Sequence, residues 1–294
     1  MQMREMKIIG RVVLVLALFL MEHSSVAACT VFFAFDGKLA LAGNNEDWAD
    51  PNTQMWFVPA TKDNYGIVYF GFGRGEYPKG GISHQKLDIP GGDITKVRPD
   101  DLYGLPQGGM NDKGLFFDMA STEAVKVLPA PNKKVYDGRL EDHIMRKCAT
   151  VEEALKLLDQ YAFTVSQGQC LFADKSGDSF ILEAGGVIIR KRVSFQAMTN
   201  FRQSQVAPDQ VTCPRYKLVS ESLTERKDVS IEQFRSLLKG TAQEFTTYST
   251  IFNLGEGEVH IYRQRDFEQV VKINLKEELT KGERAVKISS LFDK

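Results

Sequence analysis

Cys29 is the residue whose chemistry is easiest to interpret, because it directly follows three small residues at positions 26–28. If the chain is cut there, Cys29 becomes the first residue and carries its own α-amino group beside the thiol. An α-amino group has a pKa of about 7.7–8.0, well below about 10.4 for a lysine amine, so it can accept a proton near neutral pH. A nucleophile needs such a base beside it. Cys29 is therefore a candidate N-terminal nucleophile.

The first 28 residues explain why the chain would be cut before Cys29. Arg4, Lys7 and Arg11 give a basic start, an apolar run of 10 residues covers positions 12–21, and small residues end the segment. This is the pattern of a secretory signal peptide, and a membrane-spanning helix would need roughly 20 apolar residues. We predict a signal peptide at residues 1–28, one mature domain at residues 29–294, export to the periplasm or the extracellular space, and no membrane span.

Two other interpretations of Cys29 stay open. Residues 26–29, Val-Ala-Ala-Cys, also fit the loose lipobox of bacterial lipoproteins, so Cys29 could carry a lipid on a non-catalytic binding protein. The polar stretch at residues 22–25 weakly disfavours that interpretation, because it separates the apolar run from the lipobox. The cysteine could also stand at the cleavage site by chance.

Composition and spacing argue against several other classes of protein. The net charge is -1 and no long basic run occurs, so neither nucleic acid nor an anionic membrane surface is an expected partner. The four cysteines are widely spaced without a CxxC pair, which makes a zinc or redox site improbable. The histidines after residue 28 form no recognisable dyad motif. We therefore expect no metal and no cofactor, and a small molecule as partner.

The elements that must position Cys29 begin with a hairpin. Residues 29–35 are rich in β-branched and aromatic types, Asp36-Gly37 follows, and a second strand-like run begins at Lys38. Asp-Gly between two such runs favours a β-hairpin over residues 29–43. The second strand would then return Asp47 to the start of the first, where a carboxylate could orient the α-amino group. A turn-capping role for Asp47 is the simpler alternative.

The rest of the chain predicts strands, helices, strands, helices and strands in turn. Further strands are expected near residues 55–58, 67–70, 114–119, 169–173, 179–182, 187–189, 248–252 and 259–262. Helices are expected at residues 140–148, after Thr150, after Pro214 and after Ser230, and residues 71–109 read as glycine-rich loops. The order lacks regular βαβα alternation. It favours an α+β fold with two central antiparallel sheets and helices outside them.

Four stretches give the chain a resemblance to the choloylglycine hydrolase and penicillin V acylase family of N-terminal-nucleophile hydrolases and their acyltransferase-like relatives. They are Cys29-Thr30 with Gly43-Asn-Asn-Glu-Asp-Trp48, Gly109-Met-Asn-Asp-Lys-Gly-Leu115, Met198-Thr-Asn200, and Thr247-Tyr-Ser-Thr-Ile-Phe-Asn-Leu254. Their order and spacing make the set fairly specific. The resemblance implies a four-layer αββα sandwich.

The resemblance also implies roles for individual residues. Cys29 matches the nucleophile, Asp47 the aspartate that positions its amine, and Asn200 the asparagine that holds the amine or polarises the substrate carbonyl. Arg215 matches an arginine that supports the site electrostatically, although a buried salt bridge or a helix-start contact is nearly as good an interpretation. By simple counting, Ser121 falls where the family has its oxyanion-hole asparagine.

Two positions depart from the family pattern. Asn44 stands where the family usually has an arginine, so a cation that would lower the thiol pKa and meet substrate is absent. Ser121 could donate one hydrogen bond to an oxyanion, or a backbone N–H could serve instead. Both departures bear on bile-salt specificity and leave the nucleophile assignment unchanged.

The expected reaction is cleavage of a linear amide, an N-acyl bond, through a thioester on Cys29. The sequence does not distinguish hydrolysis from transfer of the acyl group to an amine, because both pass through the same acyl-enzyme. It does not identify the acyl group, and it leaves a homo-oligomer open.

Overall fold

The structure is a computed structural model that describes residues 29–48, 53–73, 104–128, 130–136, 138–163, 165–190, 193–225 and 228–293. The predicted signal peptide and residues 74–103 of the predicted loop lie outside the described residues. No described helix is long and apolar enough to cross a membrane.

The first sheet contains the predicted hairpin and holds Cys29 at its start. It has six strands in the order β12-β1-β2-β13-β14-β15. These strands are β1 (Thr30–Phe35), β2 (Ala40–Asp47), β12 (Phe195–Met198), β13 (Thr246–Asn253), β14 (Glu258–Arg263) and β15 (Asp266–Asn274). All its pairings are antiparallel. The hairpin therefore lies in the interior of the sheet, where both of its strands are buried.

The second sheet has eight strands in the order β11-β10-β9-β6-β5-β4-β3-β16, again all antiparallel. They are β3 (Thr53–Val58), β4 (Ile67–Gly73), β5 (Gly104–Asn111), β6 (Leu115–Ala120), β9 (Gln169–Asp174), β10 (Ser179–Glu183), β11 (Val187–Ile189) and β16 (Arg284–Lys287). A small parallel pair, β7 (Lys134–Val135) and β8 (Tyr161–Ala162), lies apart from both.

Helices cover the outer face of each sheet. The helices are α1 (Leu140–Lys147), α2 (Val151–Leu158), α3 (Pro214–Glu225), α4 (Ile231–Thr241) and α5 (Leu275–Thr280). Apolar residues of α3 and α4 pack on the outer face of the first sheet, and those of α1 and α2 on the outer face of the second. A third apolar cluster lies between the two sheets. The chain is thus the expected four-layer αββα sandwich.

The helix starts follow their sequence signals. Thr150 accepts a hydrogen bond from the backbone N–H of Glu153 at 3.2 Å, and Ser230 accepts one from that of Gln233 at 3.2 Å. These side chains satisfy N–H groups that a helix leaves unpaired in its first turn. Both predicted caps are confirmed.

One part of the prediction was wrong. The glycines of residues 71–109 indicated loops, but residues 71–73 belong to strand β4 and Gly104–Asn111 forms strand β5, both in the second sheet. Gly109 is required there, because a Cβ at this position would lie 2.3 Å from the backbone oxygen of Val68 on the neighbouring strand. Glycine inside a strand marks such a close backbone approach, and here it allows β4 and β5 to pair.

Candidate active site

Cys29 is the residue immediately before strand β1 of the first sheet. Its side chain is 5% exposed and belongs to the apolar cluster between the two sheets. Thr30, the next residue, pairs with Asn45 of β2. The hairpin therefore brings the last residues of β2 beside Cys29, as the sequence predicted. All four cysteines of the chain are free.

Asp47 is the last residue of β2 and is fully buried. Its carboxylate accepts a short hydrogen bond from the hydroxyl of Thr246, its partner on β13. The second carboxylate oxygen lies 3.9 Å from Nη1 of Arg215. Burial raises the pKa of Asp47 from 3.8 to about 7, while Thr246 and Arg215 act in the opposite direction. Asp47 is held by contacts and is not merely a turn residue.

Arg215 connects the predicted site residues to one another. It lies in the first turn of α3, and its Nη1 donates to the backbone oxygen of Cys29 and to Oγ1 of Thr30, both at 2.8 Å. Its Nη2 donates to Oδ1 of Asn200 at 3.0 Å. The fork geometry of a guanidinium suits several acceptors at once. The helix-start contact and the electrostatic support predicted for Arg215 therefore do not exclude each other, because the residue lies at a helix start and contacts Cys29 and Asn200.

Asn200 follows β12 and joins the two sheets near Cys29. Its Nδ2 donates to the backbone oxygen of Ser121, which follows β6 of the second sheet, at 3.0 Å. Arg215 and Ser121 together fix the orientation of the amide, because one contact uses its oxygen and the other its nitrogen. Ser121 is therefore brought to the site through its main chain. Its hydroxyl as an oxyanion donor remains a prediction.

The electrostatic surroundings of the thiol do not favour its ionisation. Burial raises the pKa of Cys29 well above its ordinary value, and the nearby carboxyls of Glu46, Asp47 and Asp118 add to this effect. The backbone N–H of Asp47 acts in the opposite direction. No basic side chain contributes, which agrees with asparagine at position 44. The thiol therefore needs a base to take its proton during attack.

Three buried polar residues near the thiol were missed by the sequence interpretation, namely Glu46, Asp118 and Tyr248. They are 1%, 1% and 0% exposed. A signal was present in β2, whose last four residues, Asn-Asn-Glu-Asp, are all polar although the strand lies in the interior of a sheet. Since side chains alternate along a strand, two of the four must point between the sheets.

Other features of the described residues lie elsewhere. No group of three or more His, Cys, Asp or Glu in the described part of the chain is arranged to hold a metal ion. An open apolar depression lined by Leu128 and Val135, among others, shares no residue with the site. Its lining is apolar apart from Lys133 and contains no cysteine, aspartate or asparagine, so we place the site by the contacts of its side chains.

Replacing Arg215 by lysine should test whether the guanidinium positions the reacting residues. Lysine keeps the charge but cannot reach four acceptors, so we expect kcat/KM to fall roughly 10- to 100-fold, the equivalent of one charged hydrogen bond. The loss should appear in kcat more than in KM if Cys29 is the nucleophile, because Arg215 holds its main chain. Arg235→Lys on α4, away from the site, is the matched control. Equal effects of the two substitutions would contradict this role.

The sequence itself matches no protein-family model and no curated protein sequence. The structure is similar to a cysteine-to-alanine mutant of conjugated bile acid hydrolase from Clostridium perfringens, with a TM-score of 0.61 and 15% identity over 88% of this chain and 96% of that one. It is also similar to penicillin V acylase from Agrobacterium tumefaciens, with a TM-score of 0.59 and 16% identity over 88% and 90%. An arginine-to-leucine variant of the Clostridium enzyme gives a TM-score of 0.62 at 14% identity. The chain therefore has the fold of the choloylglycine hydrolase and penicillin V acylase family.

Proposed function

We propose that the protein is an exported amide hydrolase that uses Cys29, freed at the N-terminus by removal of residues 1–28, as its nucleophile. The observation that supports this most is the set of contacts made by Arg215. One guanidinium holds the main chain of Cys29 and the amide of Asn200, and lies beside the carboxylate of Asp47. These are the residues expected to attack, to bind the oxyanion and to orient the amine.

The proposed reaction needs no cofactor. The α-amino group of Cys29 takes the thiol proton, and the sulfur attacks the carbonyl carbon of an N-acyl amide. The tetrahedral intermediate collapses when the protonated amine gives its proton to the leaving nitrogen. Water, deprotonated by the same amine, then cleaves the thioester and releases the carboxylic acid.

The surrounding residues have separate tasks in this scheme. Asp47 lies at the end of β2 beside the start of β1, where its carboxylate can orient the α-amino group. Asn200 and either the hydroxyl of Ser121 or a backbone N–H would donate hydrogen bonds to the oxyanion. Removing one such donor costs roughly 2.7–4 kcal/mol in a well-studied enzyme. Asn44 contacts substrate in place of the family's arginine.

The test is to express the whole chain, isolate the exported protein, and determine its intact mass and N-terminal residue. We expect an unmodified chain that starts at Cys29 and hydrolyses a member of a panel of N-acyl amides. A diacylated or blocked Cys29 would leave no free amine as base, and would favour the lipid-anchored binding protein instead. A chain that starts at Cys29 and releases an acyl group only to an added amine would be an acyltransferase.

A further inference from the structure

A polar patch lies on the inner face of the first sheet, facing the second sheet. It consists of Asn44 and Glu46 on β2 and of Tyr248 and Thr250 on β13, and is called the inner polar patch below. Asn44 pairs directly with Thr250, and Glu46 with Tyr248. All four side chains are at most 1% exposed. The alternating residues Asn45 and Asp47 make their contacts on the opposite, helix-covered face.

The inner polar patch contains an unusual number of polar atoms without a partner. Both amide atoms of Asn44, Oε2 of Glu46, the hydroxyl of Tyr248 and Oγ1 of Thr250 form no hydrogen bond. These are five of the twelve such side-chain atoms among the described residues. The amide of Asn44 lies against the carboxyl of Glu46, and this contact lowers the pKa of that carboxyl although it does not reach the geometry of an ordinary hydrogen bond. Buried polar groups normally have partners, so each exception needs an explanation.

The patch is next to the nucleophile. Glu46 follows Asn45, which pairs with Thr30, and Cys29 directly precedes Thr30. Adjacent strands are about 4.8 Å apart, so Cys29, Glu46 and Tyr248 follow one another across three strands. The carboxyl of Glu46 helps to raise the pKa of the Cys29 thiol. Cys29 in turn helps to raise the pKa of the Tyr248 hydroxyl.

A second carboxyl faces the patch from the other sheet. Asp118 on β6 is 1% exposed, and Glu46 helps to raise the pKa of its carboxyl. Among the described residues, the carboxyl of Asp118 accepts one hydrogen bond, from the backbone N–H of Met119 at 2.9 Å. Its partner on β5 is Gly108, where a Cβ would lie 2.1 Å from Oδ2 of Asp118. Glycine on β5 thus leaves the space that the carboxyl occupies.

Neither of these two carboxyls has a basic partner among the described residues that act on it. None of the groups that shift the pKa values of Glu46 and Asp118 is a basic side chain. The cation of the site, Arg215, instead lowers the pKa of Asp47, which lies on the other face of β2. Two buried carboxyls with hydroxyls around them, but no cation among the described residues that act on them, match a ligand that brings its own positive charge.

We propose that the inner polar patch and Asp118 bind an ammonium or guanidinium group on the acyl part of the substrate. The inference rests on the proposed function, because it assigns the substrate class of that same site. We assign the charged group to the acyl half of the substrate because the acyl half stays attached to Cys29 through both steps. The amine half must leave before water enters. A buried position between the sheets therefore suits the acyl half better.

The test compares two series of para-nitroanilides that differ only in the end of the acyl chain. One series carries a terminal amino group, and the other has a methyl group in its place. We expect the whole protein to prefer the amino series by roughly tenfold or more in kcat/KM at the best chain length, and Glu46→Gln to lose most of that ratio. Glu183→Gln removes a buried carboxylate that is bonded to Ser204 instead, and should keep the ratio.

Binding provides a second measurement that does not depend on turnover. An n-alkylamine should bind to the protein more tightly than the n-alkanol of equal length in calorimetry, and Asp118→Asn should weaken binding of the amine alone.

Hydrolysis of both series without preference for the amino group would overturn the inference and leave the proposed function standing. Amine binding without any hydrolysis would support the inferred ammonium site and contradict the proposed function. An equal loss on both series in Glu46→Gln, with a shifted pH profile, would assign Glu46 to proton transfer and also overturn it.

Discussion

Cys29→Ala should reduce kcat/KM for the amide that the protein hydrolyses by roughly 10⁴-fold or more, the effect of removing a nucleophile in other covalent hydrolases. The side chain that forms the thioester is then missing, whereas the main-chain contact from Arg215 to residue 29 can persist. Folding should survive, because the substitution removes only one sulfur atom from the region between the sheets. Steady-state kinetics and thermal unfolding of the exported protein measure the two effects separately.

Cys148→Ala is the matched control for this substitution. Cys148 is also a buried thiol, but it packs in the cluster between the second sheet and α1 and α2. Its replacement should leave kcat unchanged and lower stability by about as much as Cys29→Ala does. In the wild type, a slowly hydrolysed substrate should add the mass of its acyl group to the peptide that begins with Cys29. Retained activity in Cys29→Ala, or an acyl group on another residue, would falsify the nucleophile assignment.

The sequence predicted the hairpin well because its signals are local. Asp36-Gly37 forms the turn between two β-rich runs, and a pairing of neighbours in sequence follows from the turn alone. With the hairpin fixed, the position of Asp47 beside Cys29 is a matter of strand register. The closeness of Cys29 and Asp47 could therefore be predicted before anything was known of the rest of the fold, and their roles in catalysis stay predictions.

The edge strand β11 was predicted at residues 187–189, but the other three edge strands, β12, β15 and β16, could not be predicted in the same way. Strand β12 pairs with β1, more than 160 residues earlier, and β16 pairs with β3. The strand β15 has five exposed residues among its nine and lacks an apolar run. The partners of β12 and β16 are remote in sequence, so no local pattern fixes their register. Residues 203–205 and 208–210 form short 3₁₀ helices that the pattern also did not indicate.

The inner polar patch shows why the remainder of the site was missed. Residues 44–47 read as a polar stretch that a turn or surface strand could contain. Only the pairing of β2 with both β1 and β13 shows that each of these side chains is buried. The strand then divides its polar residues between two faces, with Asp47 toward Arg215 and Glu46 toward the second sheet. In the proposed function, the face that carries Asp47 supports Cys29, and the face that carries Glu46 is the one proposed to meet substrate.

The burial of Glu46 should also make the stability of the protein depend on pH. Burial, with a contribution from Asp47, raises the pKa of Glu46 from 4.5 to about 8. Between these two values the folded chain holds a proton that the unfolded chain has released. The stabilisation is therefore complete below about pH 4.5 and is lost as the pH rises toward about 8, by an amount on the order of 3–5 kcal/mol. Asp47, whose pKa burial raises from 3.8 to about 7, acts in the same direction.

Glu46→Gln should remove the part of this slope that Glu46 contributes, because glutamine has the same size and no proton to lose. Urea unfolding at a series of pH values from about 5 to 9 should show the free energy of unfolding of the wild type falling as the pH rises. The variant should fall less steeply, retaining the contributions of Asp47 and Asp118, whose pKa values burial also raises, and should be the more stable of the two at the alkaline end. Glu232→Gln on the exposed side of α4 is the control and should follow the wild type. If the profile of Glu46→Gln stayed parallel to that of the wild type, another group would carry the titration, and Glu46 would have to be ionised with a partner in the folded protein.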